Sequence, residues 1–141
     1  MEYKIKILKA KIEDIEVCVK LAKTKELQYA PGLFPSEKEL KSGARHGLFY
    51  VAKVEDKIVG FVLGYILSRQ SGYIDLLVVE EKYRGQGIGT KLLSKIKKKM
   101  RQEEINNAWL IAHENQKDVE FYLKKHFKQG DRFRLFWEDL S

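Results

Sequence analysis

The stretch Leu77-Val78-Val79-Glu80-Glu81-Lys82-Tyr83-Arg84-Gly85-Gln86-Gly87-Ile88-Gly89-Thr90-Lys91-Leu92-Leu93 decides how this chain is read. Its first residues close an apolar, β-branched run over 73–79, the composition of a strand. Its last residues open a run in which Ile88, Leu92, Leu93, Ile96 and Met100 recur at helical spacing. Between them, Gly85, Gly87 and Gly89 leave backbone N–H groups unobstructed where the helix begins. The first N–H groups of a helix have no intrahelical acceptor and its dipole is positive there, so this turn suits a diphosphate. A Cβ at these positions would block close approach and disfavour a positive φ. The spacing is neither Gly-x-x-x-x-Gly-Lys-Ser/Thr nor Gly-x-Gly-x-x-Gly. The competing reading is a glycine turn that serves packing alone; Arg84 before it and Thr90 after it favour the anion.

Working outward, residues 3–8 alternate in the manner of a half-buried strand. Ile12, Ile15, Cys18 and Ala22 then predict one amphipathic helix over residues 12–28. Both prolines fall in the loop 29–35, and Ser36 with Glu39 three residues on is a capping-box pattern for a short helix that Gly47 ends. Residues 48–54 and 58–67 form a hairpin, the second strand apolar enough to be covered on both faces. Downstream, 108–112 is a strand, Asn115 caps a helix carrying Val119, Tyr122 and Leu123, and 133–137 is a final strand. The order β-α-α-β-β-β-α-β-α-β predicts a mixed α/β sheet with helices on both faces.

Composition narrows the class. The chain has 141 residues, 44% hydrophobic and 33% charged, which is globular and neither disordered nor fibrous. Against about 150 residues per domain, that length predicts one domain spanning 1–141. The longest apolar run, residues 58–67, falls well short of the ~20 residues a spanning helix needs. The start has no signal-peptide pattern, so a cytoplasmic protein without membrane contact is expected. The single cysteine, Cys18, sits at a helical apolar position and forms neither an intrachain disulfide nor a cysteine-based metal site; no metal is expected. Net charge is +7, and Lys91, Lys95, Lys97, Lys98, Lys99 and Arg101 contribute six of those charges with no acid among them. An anionic partner is thus a question about one helix, for which a solvated lysine face is the plainer reading.

The segment 77–93 resembles the acyl-CoA-binding motif of the GNAT superfamily of N-acetyltransferases, Arg/Gln-x-x-Gly-x-Gly/Ala after a strand. A second match follows: Asn115, Phe121-Tyr122 and Phe127 resemble the family's Asn-x(5)-Phe/Leu-Tyr-x(3)-Gly-Phe helix, with His126 where glycine is usual. The resemblance implies the GNAT fold: a mixed, mostly antiparallel sheet splayed between two strands, here 73–79 and 108–112. It also implies acetyl-CoA as co-substrate, with pantetheine lying along Leu77, Val78 and Val79 and a backbone N–H there polarising the thioester. Arg84, Gly85, Gln86, Gly87, Ile88, Gly89 and Thr90 would hold the pyrophosphate. Asn115 would contact the pantetheine amide, cap its helix, or do both.

Tyr122 is implied as the general acid that protonates the departing thiolate, against the alternative of a plain core aromatic. A phenol (pKa about 10) stays protonated where a thiol (about 8.5) begins to ionise. Asp75 aligns with an acidic position common in the family and should share a face with Leu77 and Val79; it is either the base or a structural carboxylate. His113 and Glu114 stand beside it as other candidates. Tyr29 and Phe34 would wall an acceptor site, and the short 128–132 connection leaves that site open enough for a protein N-terminus, a lysine or a small amine. The expected reaction is direct attack of a primary amine in a ternary complex, without an acyl-enzyme. A non-catalytic acyl-CoA sensor of the same fold is the alternative. A nucleic-acid module using residues 91–101 lacks interleaved aromatics and is disfavoured; a homodimer is compatible with the family.

Overall fold

The computed structural model describes residues 3–68, 70–132 and 134–141. They divide into two compact units, residues 1–111 and 112–141.

The first unit is a five-stranded sheet in the order β1-β2-β3-β4-β5. Strands β1 (Ile5–Lys9), β2 (Leu48–Val54), β3 (Lys57–Ser68) and β4 (Ser71–Val79) pair antiparallel in sequence. Strand β5 (Asn107–Leu110) joins β4 in parallel. The β2–β3 turn uses two residues, Glu55 and Asp56, both with positive φ (48° and 69°), the handedness that matches strand twist. Helices α1 (Ile15–Leu21) and α2 (Glu37–His46) cover one face, where Ile15, Cys18 and Leu40 pack with Phe49, Val51, Phe61, Leu63, Leu76 and Val78. Helix α3 (Ile88–Gln102) covers the other, burying Ile88, Leu92, Leu93, Ile96 and Met100. Gly64 and Gly72 let it approach: a Cβ on either would lie 2.7 Å from Ile96 Cδ1 or Met100 Sδ.

Three expectations change. Residues 12–28 are not one helix but a 3₁₀ turn (Ile12–Asp14), α1, and a second 3₁₀ turn (Lys25–Leu27). Asp14 accepts the Lys11 N–H at 2.8 Å and so breaks the run at its start, while Thr24 is extended (φ −124°, ψ 159°) and ends it. The 108–112 strand is β5 and stops at Leu110. The predicted final strand fails: Phe133 lies outside the described residues, and 134–137 form no ladder, with Leu135, Phe136 and Trp137 exposed. Propensity suggested a strand there, but a strand needs a partner to pair with.

The second unit is built on α4 (Gln116–Lys124). Asn115 caps it, its Oδ1 accepting the Asp118 N–H at 2.9 Å. At the other end the Phe127 N–H donates to Tyr122 C=O and the His126 N–H to Leu123 C=O, the two bonds of a Schellman stop. His126 takes the left-handed conformation there, φ 72°, in the position where glycine is easiest.

Candidate active site

The pairing of β4 creates the first part of the site. Strand β5 matches β4 only over Ser71 to Ile74, so the residues from Leu76 to Val79 pair with β3 alone. The Glu80 N–H donates to Val59 C=O at 2.7 Å, and antiparallel alternation then turns the polar groups of Leu76 and Val78 toward β3. Leu77 and Val79 therefore present their N–H and C=O groups to the open edge. Arg84 uses one of these, its Nε donating to Val79 C=O at 2.8 Å while Nη1 pairs with Glu26 at 3.4 Å. The side chain expected at a diphosphate thus ties the glycine turn to the strand end and to the segment after α1.

The turn itself is held at Tyr83, whose ring meets Tyr3 edge-on and lies under the Lys57 and Lys82 ammonium groups. Gly85 (φ 78°) and Gly87 (φ 83°) are left-handed, and a Cβ on either would point into open space. The first helical bond of α3 runs from Lys91 N–H to Gly87 C=O, which leaves the amides of Ile88, Gly89 and Thr90 without intrahelical acceptors. No side chain caps Gly87 and no acid stands in the first turn of α3. The loop residues Arg84 to Gly87 are exposed, so this end can receive an anion.

Asp75 is not where strand alternation put it. Between Leu63 and Gly64 the register of β3 skips a residue of β4, and Asp75 is the extra one. Before this bulge Gly72 faces Met100 of α3; after it, Leu76 and Val78 face α1 and α2. The bulge thus moves Asp75 off the face of Leu77 and Val79 and onto that of Tyr73. There it meets groups that the sequence pattern did not single out. Tyr65 pairs directly with Tyr73 across β3 and β4, and its hydroxyl lies beside Gly43, where a Cβ would stand 3.1 Å away. One turn earlier on α2, Glu39 accepts the Tyr29 hydroxyl at 3.0 Å as well as completing the capping box with Ser36. Burial and the Glu39 charge push the Asp75 carboxyl above the ordinary carboxylate range. Burial and neighbouring carboxylates likewise raise the Tyr29, Tyr65 and Tyr73 phenols. Among the described residues, the half-buried Asp75 carboxylate has no hydrogen bond or ion pair. Tyr29 is held by a small turn in which its N–H donates to Leu33 C=O; Phe34 is half-buried beside buried Pro35. Glu39 was legible only as a helix cap, and Tyr65 and Tyr73 come together through a register that two bulges in β3 and β4 hide from the sequence.

In the second unit Tyr122 is half-buried between the Phe121 and Phe127 rings, at 5.1 and 5.7 Å. Burial, and secondarily the Asp118 charge, push its phenol up to about 12. Asn115 Nδ2 donates to Asp118 Oδ2 at 2.7 Å. Glu114 is exposed and paired with Arg132 at 3.3 Å. Among the described residues no group of acids, histidines and cysteines could hold a metal ion, and no helix is long and apolar enough to cross a membrane.

The site thus sets the open edge of β4 beside an uncapped, glycine-rich helix start that can receive an anion. The family model for the GNAT acetyltransferases matches residues 15–127, and the chain belongs to that family. It is 34% identical over 91 residues to an uncharacterized N-acetyltransferase of Methanocaldococcus jannaschii, a match covering 59% of this chain and 40% of that protein's length. An N-alpha-acetyltransferase of Sulfurisphaera tokodaii is 28% identical over 98% of this chain and 87% of its own. Among solved structures, the PaiA N-acetyltransferase of Thermoplasma acidophilum in complex with coenzyme A superposes with a TM-score of 0.80 at 23% identity, covering 92% of this chain and 93% of that one.

Proposed function

We propose that residues 1–141 act as one acetyltransferase domain that moves an acetyl group from acetyl-CoA to a primary amine. The observation that carries this reading is the free edge of β4 leading directly into the uncapped start of α3. The amides from Gly85 to Thr90, with Arg84 at the rim, bind the pyrophosphate, and the open N–H and C=O of Leu77 with the Val79 N–H align pantetheine as an added strand. A backbone N–H between Leu77 and Val79 stabilises the oxyanion that forms when the amine attacks the thioester carbonyl. The nitrogen–carbon bond forms as the carbonyl electron pair moves onto its oxygen, and collapse of the oxyanion re-forms the carbonyl and breaks the carbon–sulfur bond. Asp75 takes the proton the ammonium sheds before attack, its raised pKa making it a better base than an ordinary aspartate; the second N–H proton, lost as the amide forms, passes to water, which also restores the proton Tyr122 gives up. Tyr122 protonates the departing thiolate, a role suited to a phenol that stays protonated at neutral pH. Asn115 caps its helix and supports the pantetheine amide, and Tyr29 and Phe34 wall the acceptor. A protein N-terminus is the acceptor class favoured by the Sulfurisphaera relative, with lysine and small amines as alternatives.

The test is calorimetry with acetyl-CoA followed by mass-spectrometric detection of acetyl transfer to peptides and amines. Tight binding with transfer reduced at least about tenfold in Tyr122→Phe is expected. Binding without transfer to any amine in the wild type would replace this reading with an acyl-CoA sensor, and absence of binding would overturn both.

A further inference from the structure

The acceptor side of the site contains more negative charge than a single amine requires. We propose that Glu39 is a specificity-determining residue and that the acceptor carries a second positive charge a few bonds from the reacting nitrogen. This inference rests on the transfer reading above. The geometry has three parts. Asp75 is turned by the β4 bulge onto the side of α2 and has no cation or donor of its own among the described residues. Glu39 is held on α2 by the Tyr29 hydroxyl and by Ser36, with an exposed side that a ligand can reach. Tyr29, Tyr65 and Tyr73 supply the surfaces around them, with Tyr65 and Tyr73 directly paired across the strands.

Charge balance gives the chemical class. A primary amine arrives as an ammonium and must lose a proton before it attacks, and that proton goes to Asp75. Asp75 is then neutral, and Glu39 remains charged beside it. An acceptor with one amine leaves the exposed Glu39 carboxylate to its neutral donors, the Tyr29 hydroxyl and Ser36, with no cation against it. An acceptor with a second ammonium or guanidinium meets it, and the aromatic faces around the site favour a cation with a methylene stem. Among peptides this is an N-terminus followed at once by a Lys or Arg side chain; among small molecules it is a diamine. Both offer the same pair of charges.

The experiment uses matched acceptors on the full chain loaded with coenzyme A. Binding of 1,5-diaminopentane is compared with that of pentylamine by calorimetry. Transfer from acetyl-CoA is measured to both amines and to peptides beginning Met-Lys or Met-Leu. The doubly charged member of each pair should win by roughly two- to fivefold, the size of one exposed charge pair, and the ratio should fall toward one in Glu39→Gln. The amide introduced by that substitution retains an oxygen for Tyr29 and Ser36, and an unchanged melting temperature would confirm that the variant folds. A preference confined to the diamine or to the Met-Lys peptide would uphold the inference and tell which source of the charge pair is used. Equal binding and transfer within both pairs in the wild type, or a preference that survives Glu39→Gln, would overturn the inference and leave the transfer reading intact. Preferential, Glu39-dependent binding of diaminopentane without transfer to any acceptor would overturn the transfer reading, and with it the acceptor role, leaving Glu39 as the reader of a dicationic ligand only.

Discussion

At the scale of single residues, two positions hold conformations or charges that cost stability, and each cost predicts an outcome. His126 sits left-handed at the end of α4, in the slot where the family pattern has glycine. A non-glycine residue loses about 1–2 kcal/mol there, while glycine would add roughly 0.5–1 kcal/mol of unfolded-state entropy. His126→Gly should therefore stabilise the second unit by about 0.5–1 kcal/mol, measured as slower amide exchange at Leu123 to Phe127. Asp75 is the opposite case, a carboxyl whose folded pKa is raised, first by burial and then by Glu39. Between its unfolded and folded pKa values the native state binds more protons than the unfolded one. Stability therefore falls as pH rises through that window and recovers below it. Asp75→Asn should melt higher than wild type at neutral pH, lose that advantage when acidified below the unfolded carboxylate pKa, and transfer acetyl groups more slowly. A variant that melts lower at pH 7 would show that Asp75 has a structural donor. The Cys18 thiol, fully buried and pushed up to about 12 by burial and the Asp14 charge, should react with thiol reagents only as the chain unfolds.

Elements were legible where one physical signal dominates. The period of α3 and the capping box of α2 reappear where the pattern puts them, and the hairpin of 48–54 with 58–67 reappears with Lys57 drawn into β3. The glycine turn was legible for a different reason: positive φ at Gly85 and Gly87 is a local demand that only local chemistry meets. What stayed hidden depends on pairing between distant residues. The bulge at Asp75 leaves the apolar alternation of β4 undisturbed on paper, because the strand changes its packing face at that residue. The grouping of Glu39, Tyr65 and Tyr73 around Asp75 followed from that shift and was missed with it. The same dependence on partners explains why residues 134–137 read as a strand and are none. Close packing between α3 and the sheet carries its own prediction. A Cβ at Gly64 would meet Tyr73 C=O as well as Ile96 Cδ1, both at 2.7 Å. The backbone oxygen cannot move aside as a side-chain tip can, so Gly64→Ala should destabilise by about 1–3 kcal/mol, read from denaturant midpoints. Loss below a few tenths of a kcal/mol would mean that α3 slides on the sheet.

At the scale of the whole molecule, six of the seven net positive charges lie between Lys91 and Arg101 of a single helix. They are not a second binding site by that fact, since Lys99 pairs with Glu103 and Lys95 lies over the Tyr50 ring. Their joint effect is a field. The start of that helix is the proposed diphosphate site, and coenzyme A carries several negative charges, so the field should speed encounter more than it tightens the final complex. Association should slow as ionic strength rises and the Debye length contracts to about 8 Å near 0.15 M salt. Lys91→Glu combined with Lys98→Glu, both exposed and facing solvent, should slow association by roughly three- to tenfold at low salt and flatten its salt dependence. The dissociation rate should change much less, because neither side chain needs to touch the bound diphosphate. Stopped-flow mixing at two ionic strengths separates the two rates. If the double variant instead released the coenzyme faster and associated normally, those lysines would be direct phosphate contacts, and the field would be only a by-product of them.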